Sequence, residues 1–141
     1  MANQDARVAP AKGLRIALWL AQALLALFFL MAGVNHGILP VEQAAQRAPW
    51  VTGVPFALLR FIGFAELAGA VGLVLPAATR IAPRLTPFAA LGVMTIMLLA
   101  IPFHLSRGET FVAMHAIVAA LAAFVAWGRF KAAPIAPRTR G

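Results

Sequence analysis

The sequence has no cysteine, no tyrosine and only four acidic residues in 141. Without cysteine the chain forms no disulfide, runs no thiol exchange and offers no thiolate to a metal. Charged residues make up 11% of it and the hydrophobic set 62%, whereas soluble domains carry about 25% charged residues. That balance excludes an ordinary water-soluble fold. Four spans of about 20 residues would consume most of the chain and leave no room for a separate soluble domain. The formal net charge of +8 comes from basic residues beside apolar runs, where they face lipid headgroups and set topology. The partner expected is therefore the lipid bilayer, with no nucleic acid.

Along the chain, residues 1–13 form a polar tail and residues 14–130 a membrane domain with spans at about 14–38, 55–75, 86–104 and 110–128. Residues 131–141 form a basic tail with Pro134 and Pro137, expected to be disordered. The first run exceeds the roughly 7–15 residues of a signal-peptide core and no small-residue cleavage site follows, so it reads as a span. Pro40, Pro49 and Gly53 mark residues 39–54 as a loop. Pro55 should open the second helix and Pro76 stop it, while Thr86 and Pro87 read as the cap and first turn of the third. Pro102 should bend or end that third helix by removing a hydrogen bond to the Leu98 carbonyl.

Arg7, Lys12, Arg15, Arg80, Arg84, Arg129, Lys131, Arg138 and Arg140 fall on one side of this arrangement, and Arg47 and Arg107 on the other. Positive loops stay cytoplasmic, so both termini are expected in the cytoplasm and the chain in a bacterial-type inner membrane. Trp19, Trp50 and Trp127 read as interface anchors. Helices in lipid associate through small residues. Gly33 and Gly37 on the first span, Ala65, Gly69 and Gly72 with Ala68 beside them on the second, and Ala116, Ala120 and Ala123 with Ala119 alongside on the fourth supply such stripes. Phe28, Phe29, Leu98 and Leu99 suit lipid or the filling of gaps. The fold class expected is all-α, an integral membrane four-helix bundle with antiparallel neighbours.

Glu66 lies about 16 Å into the second span, where a carboxylate costs about 2.5–3.5 kcal/mol unless it is protonated, paired or wet. Arg60 is six residues away, about 9 Å of rise and roughly 120° of rotation, so a partner on another helix fits better. His36, Arg60, His104, Glu109 and His115 converge on the outer half of the bundle, with Asn35. Imidazoles there can exchange protons, although side chains near helix ends also snorkel to the interface. No i, i+4 histidine pair occurs, so no metal site is expected. No phosphate-binding glycine loop, nucleophile elbow or catalytic carboxylate pair is present. His36, Arg60, His104 and His115 beside Pro102 would frame an outward-facing pocket for a quinone-like headgroup, with Arg60 as donor.

The stretch from Arg60 to Pro76, with Arg60, Gly63, Glu66, Gly69, Ala70, Gly72 and Leu73 in order, resembles the second helix of the DoxX-like membrane proteins. Leu85-Thr86-Pro87 with the run closing in His104 is similar to that family's third helix, and Phe28, Phe29, Ala32 and Gly33 to its first. His36 stands where the family commonly has lysine, so a permanent positive charge there is lost. The resemblance, over about residues 20–127, implies a four-helix membrane protein sometimes associated with redox systems and quinone-linked sulfur oxidation. It implies no catalytic residue. The function expected is an accessory subunit of a redox or quinone-linked system, with a membrane or peripheral redox partner. A proton-coupled small-molecule transporter and a lipid- or isoprenoid-binding protein are the alternatives.

Overall fold

The computed structural model describes residues 9–139. Five α-helices appear among them, α1 Lys12–Gly37, α2 Val41–Arg47, α3 Phe56–Thr79, α4 Leu85–Ser106 and α5 Val112–Trp127, with no strand. The chain is all-helical. A wider turn, Gly128–Ala132, extends α5. Four of these elements, α1, α3, α4 and the extended α5, are long and apolar enough to cross a membrane. At 26 residues, α1 is about 39 Å long, more than a hydrocarbon core of about 30 Å requires.

Each spanning helix packs on the next, α1 on α3, α3 on α4, α4 on α5, and α5 back on α1. The tightest contact is between backbones. A Cβ on Gly33 would lie 2.9 Å from the Gly63 carbonyl oxygen, and one on Gly37 would lie 3.2 Å from the Gly63 carbonyl carbon. Further along, Gly69 admits Val93 and Gly72 admits Ala89, which brings α4 against α3. These glycines do the work that small residues do in lipid, where backbones gain by close approach. On α5 the expected stripe holds at Ala119 and is corrected at its other three positions. Ala116, Ala120 and Ala123 face outward, while His115, Ala119, Ala122 and Ala126 face the bundle. Phe29 is fully buried in the core, whereas Leu98 and Leu99 are exposed to the position lipid would take.

The helix boundaries depart from the proline rules. α3 passes Pro76 and ends at Thr79, where Arg80 turns left-handed at φ 58°. One proline removes one N–H bond, and in a dry setting the chain gains nothing by leaving the helix. For the same reason α4 runs through Pro102 to Ser106. Thr86 is not the cap of α4, because the turn bonds Leu85 N to Ala82 O (2.9 Å) and Thr86 N to Pro83 O (3.2 Å) start the helix at Leu85. Residues 39–54 are no plain loop. Pro40 precedes α2, a short helical turn at Pro49–Val51 follows, and Ala44, Val51 and Leu59 bury together.

At the other end of the bundle, Gly128 lies against Leu18, so the first half of α1 and the end of α5 share a side. Arg129, expected among exposed basic residues, is buried instead. Its Nε donates to Oε1 of Gln22 at 2.6 Å, Gln22 donates to the Leu73 carbonyl at 2.6 Å, and the guanidinium lies over Trp19. Residues 136–138 are also held against Arg80 where disorder was expected. Arg138 N donates to Arg80 O and Arg80 Nε to Ala136 O, at 3.1 and 3.0 Å.

Candidate functional site

In the half of the bundle next to the α1–α3 and α4–α5 connections lies a cavity of about 580 Å³. Its walls are mostly apolar, with Phe28, Ile62, Met97 and Phe103 among them. Phe61, Leu99 and Met31 also line it and are exposed on the bundle's outer surface. At membrane depth, exposed apolar residues meet acyl chains, so the cavity opens sideways toward lipid.

Four polar side chains reach this apolar space, His36 from α1, Glu66 from α3, His104 from α4 and His115 from α5. With Glu109, which reaches His104 from behind, they form two carboxylate–imidazole pairs and a single. His36 Nδ1 is 2.7 Å from Glu66 Oε2, with side chains 9% and 5% exposed. His104 Nδ1 is 2.5 Å from Glu109 Oε2, with side chains 5% and 22% exposed. A carboxylate accepts from Nδ1–H and so leaves the lone pair of a neutral imidazole on Nε2. Such a ring is set as a base, and the carboxylate stabilises the imidazolium that forms when it takes a proton. His115 packs 4.6 Å from the His104 ring, centroid to centroid, and its buried Nδ1 has no partner among the described residues.

Trp50 closes the space. Its ring meets His36 edge to face at 4.8 Å and stands 5.8 Å from His104 and 5.9 Å from Phe103. Trp50, expected as an interface anchor, thus also covers the polar site. A tryptophan between Pro49 and Gly53, in a connection long enough to fold back, was the signal for a covering residue. Arg107 ties this cover down, donating to Thr52 O at 3.2 Å and to Glu109 Oε1 at 3.3 Å.

Three residues expected at the site do not line the cavity wall. Arg60 donates to the His36 carbonyl at 3.0 Å and lies over the Phe56 ring, so it buttresses His36 from behind. The interhelical partner of Glu66 is His36. Asn35 faces a separate notch with Val34 and Arg47. Glu109 joins the site only through His104. No group of three His, Asp or Glu side chains among the described residues has metal-holding geometry.

The loop pair gives the site a pH dependence. The hydrogen bond from His104 holds the Glu109 carboxyl below the usual carboxylate range; desolvation opposes it and Arg107 adds to it. A depressed folded-state pKa means the contribution to stability is present above the ordinary carboxylate pKa and lost as pH falls through the folded value. Amide exchange at residues 51–54 and 105–109, corrected for the intrinsic rate, should rise as the pH drops through and below about 4. In Glu109→Gln that rise should be absent.

Four apolar helices around a cavity that joins buried ion-pairing groups to lipid define a multi-pass membrane bundle with a polar site inside it. The chain matches the model of the DoxX-like family over residues 20–126 and belongs to that family. Neither the curated proteins nor the solved structures contain a match.

Proposed function

We propose that the cavity takes the headgroup of a membrane-soluble quinone, and that the protein serves as an accessory subunit for a redox partner in a bacterial-type inner membrane. The observation that carries this reading is the pair of carboxylate-set imidazoles, His36 with Glu66 and His104 with Glu109, beside one apolar cavity. A quinone presents two oxygens on a flat apolar ring, and its reduced form presents two hydroxyls. Two bases with lone pairs at Nε2 accept from the hydroxyls of the reduced form, and as imidazolium they donate from Nε2–H to the oxygens of the quinone, while the lateral opening leaves the isoprenoid tail in lipid. Arg60 supports His36 rather than donating to the ligand.

Decylubiquinone or a short-chain naphthoquinone should raise the melting temperature of the purified protein in detergent. A ligand at 100 times its Kd stabilises by about 2.7 kcal/mol. The rise should shrink in His36→Ala and His104→Ala. No rise with either quinone, with partitioning into micelles controlled, would remove this ligand and favour a transported or lipid ligand.

The basic-residue bias supports an orientation with the α1–α3 and α4–α5 connections facing outward and both termini cytoplasmic. Cysteines placed at Gln43 and Ser106 should react with an impermeant thiol reagent in whole cells, and one at Thr79 should not. Labelling at Thr79 alone would invert the topology.

A further inference from the structure

The two carboxylate–imidazole pairs face the same cavity but differ in their connection to water. Glu66 and His36 are sealed, with side chains 5% and 9% exposed, behind the Gly37–Gly63 backbone contact and the Arg60 bond to the His36 carbonyl. Glu109 lies in the α4–α5 connection, its side chain 22% exposed beside an Arg107 side chain 35% exposed. His104, buried, touches Glu109 on one side and the cavity on the other. His115 stacks behind it.

We propose that His104 and Glu109 form the route by which the cavity exchanges protons with water at the end of the bundle carrying the α4–α5 connection, and that His36 and Glu66 take no part in that exchange. The route rests on the functional reading above only for what releases or takes the proton. A proton leaving a bound hydroxyl joins the Nε2 lone pair of His104, the O–H bond breaking as the N–H bond forms. The imidazolium then passes its Nδ1 proton to Oε2 of Glu109, from which water removes it, and the ring is left as the Nε2–H tautomer. No electron changes hands. The charged and titratable groups facing this path are Arg107 on the connection, His115 on α5 and, through Trp50, His36 on α1 with Glu66 on α3. None of them offers the carboxylate a second way to the cavity. His36 and Glu66 are then left as the fixed pair that holds a ligand in place, and protons enter or leave on one side of the membrane only.

Trp50 reports on this without any ligand, because an imidazolium quenches a neighbouring indole and Trp50 touches His104. The full chain with Trp19→Phe and Trp127→Phe keeps Trp50 as the single tryptophan. In lipid nanodiscs held at mildly acid pH to load the imidazolium, a rapid jump to alkaline pH should release the quenching of Trp50 in a fast phase, as the Nδ1 proton leaves through Glu109. That phase should slow by at least about tenfold in Glu109→Gln, the scale of a lost proton-transfer group. Glu42→Gln, which removes an exposed carboxylate on α2, should leave the rate constant unchanged. Glu66→Gln should retain the fast phase, and His104→Gln should abolish it. Should His104→Gln fail to fold, the Glu109→Gln rate alone decides, since Glu109 sits outside the packed helices. A fast phase unaltered in Glu109→Gln, or one removed by Glu66→Gln, would overturn the route. A protein with the expected kinetics that binds no quinone would instead overturn the ligand assignment and leave the route standing.

Discussion

Gly63→Val is expected to part α1 from α3 and to leave little folded protein. A Cβ at Gly63 would fall inside any allowed contact with the backbone N and Cα of Gly37. Those are main-chain atoms of a packed helix, so no side-chain rotation relieves the clash. Overpacking against movable neighbours costs about 1–3 kcal/mol, and backbone neighbours make this the upper part of that range or beyond. Because His36 precedes Gly37, and Glu66 follows Gly63 by one turn, the same displacement would pull the His36–Glu66 pair apart. Gly63→Ala should show the effect in smaller measure. Gly92→Ala is the matched control, since nothing lies within 4 Å of a Cβ there. In a helix interior that change should be neutral or stabilising by about 0.5–1 kcal/mol. Thermal unfolding in detergent, read by circular dichroism, separates the two. Equal melting temperatures for Gly63→Ala and Gly92→Ala would show that the helices do not meet where described.

Glu66→Leu should destabilise more than Glu66→Gln. Leucine leaves the buried Nδ1 of His36 without an acceptor, and an unsatisfied buried polar group costs about 1–3 kcal/mol. The penalty rises to about 3–5 kcal/mol where the remaining partner is charged. Glutamine keeps an amide oxygen that can accept from Nδ1–H, so its loss should be the smaller. His36→Leu in the Glu66→Leu background should recover part of the stability, because removing both members of a buried pair is cheaper than removing one. A Glu66→Leu protein as stable as the wild type would place the carboxylate toward lipid or water.

Depth was legible in the sequence, and rotation about the helix axis was not. Apolar runs and the positions of His36, His104, Glu109 and His115 along them fix how far each residue lies from a helix end, and the structure brings these residues together at one end of the bundle. Which face of each helix turns inward is a different question. In lipid the outer face is as apolar as the inner one, so hydrophobicity carries no azimuth. Small residues substitute for it imperfectly. On α1 and α3 the glycines marked the contact, because a backbone approach admits nothing larger. On α5 the alanines misled, since alanine occurs on both faces of Val112–Trp127. The same missing azimuth explains Arg60, which shares a helix with Glu66 but buttresses His36 across the interface.

Two other features depended on chain that looked irregular. Trp50 lies in a connection whose Pro40 and Pro49 suggested loop, yet proline at the start of a helical turn favours the turn, and that turn brings the indole over both imidazoles. Gln22 is an amide within an apolar run, and it needs a partner when buried. That partner is Arg129, more than a hundred residues later in the chain, a distance no local pattern reveals.

Photolabelling with an azidoquinone, followed by mass-spectrometric mapping of the adducts, tests most directly whether the cavity between the paired imidazoles holds a quinone headgroup. The account predicts adducts on Trp50, Phe103 and the peptide carrying His115, and their loss when excess decylubiquinone competes. It also predicts weaker labelling in His36→Ala and His104→Ala, with lipid-facing Leu24 and Ile117 unlabelled or labelled without competition. Adducts confined to the outer faces of the helices, undiminished by competitor, would contradict it.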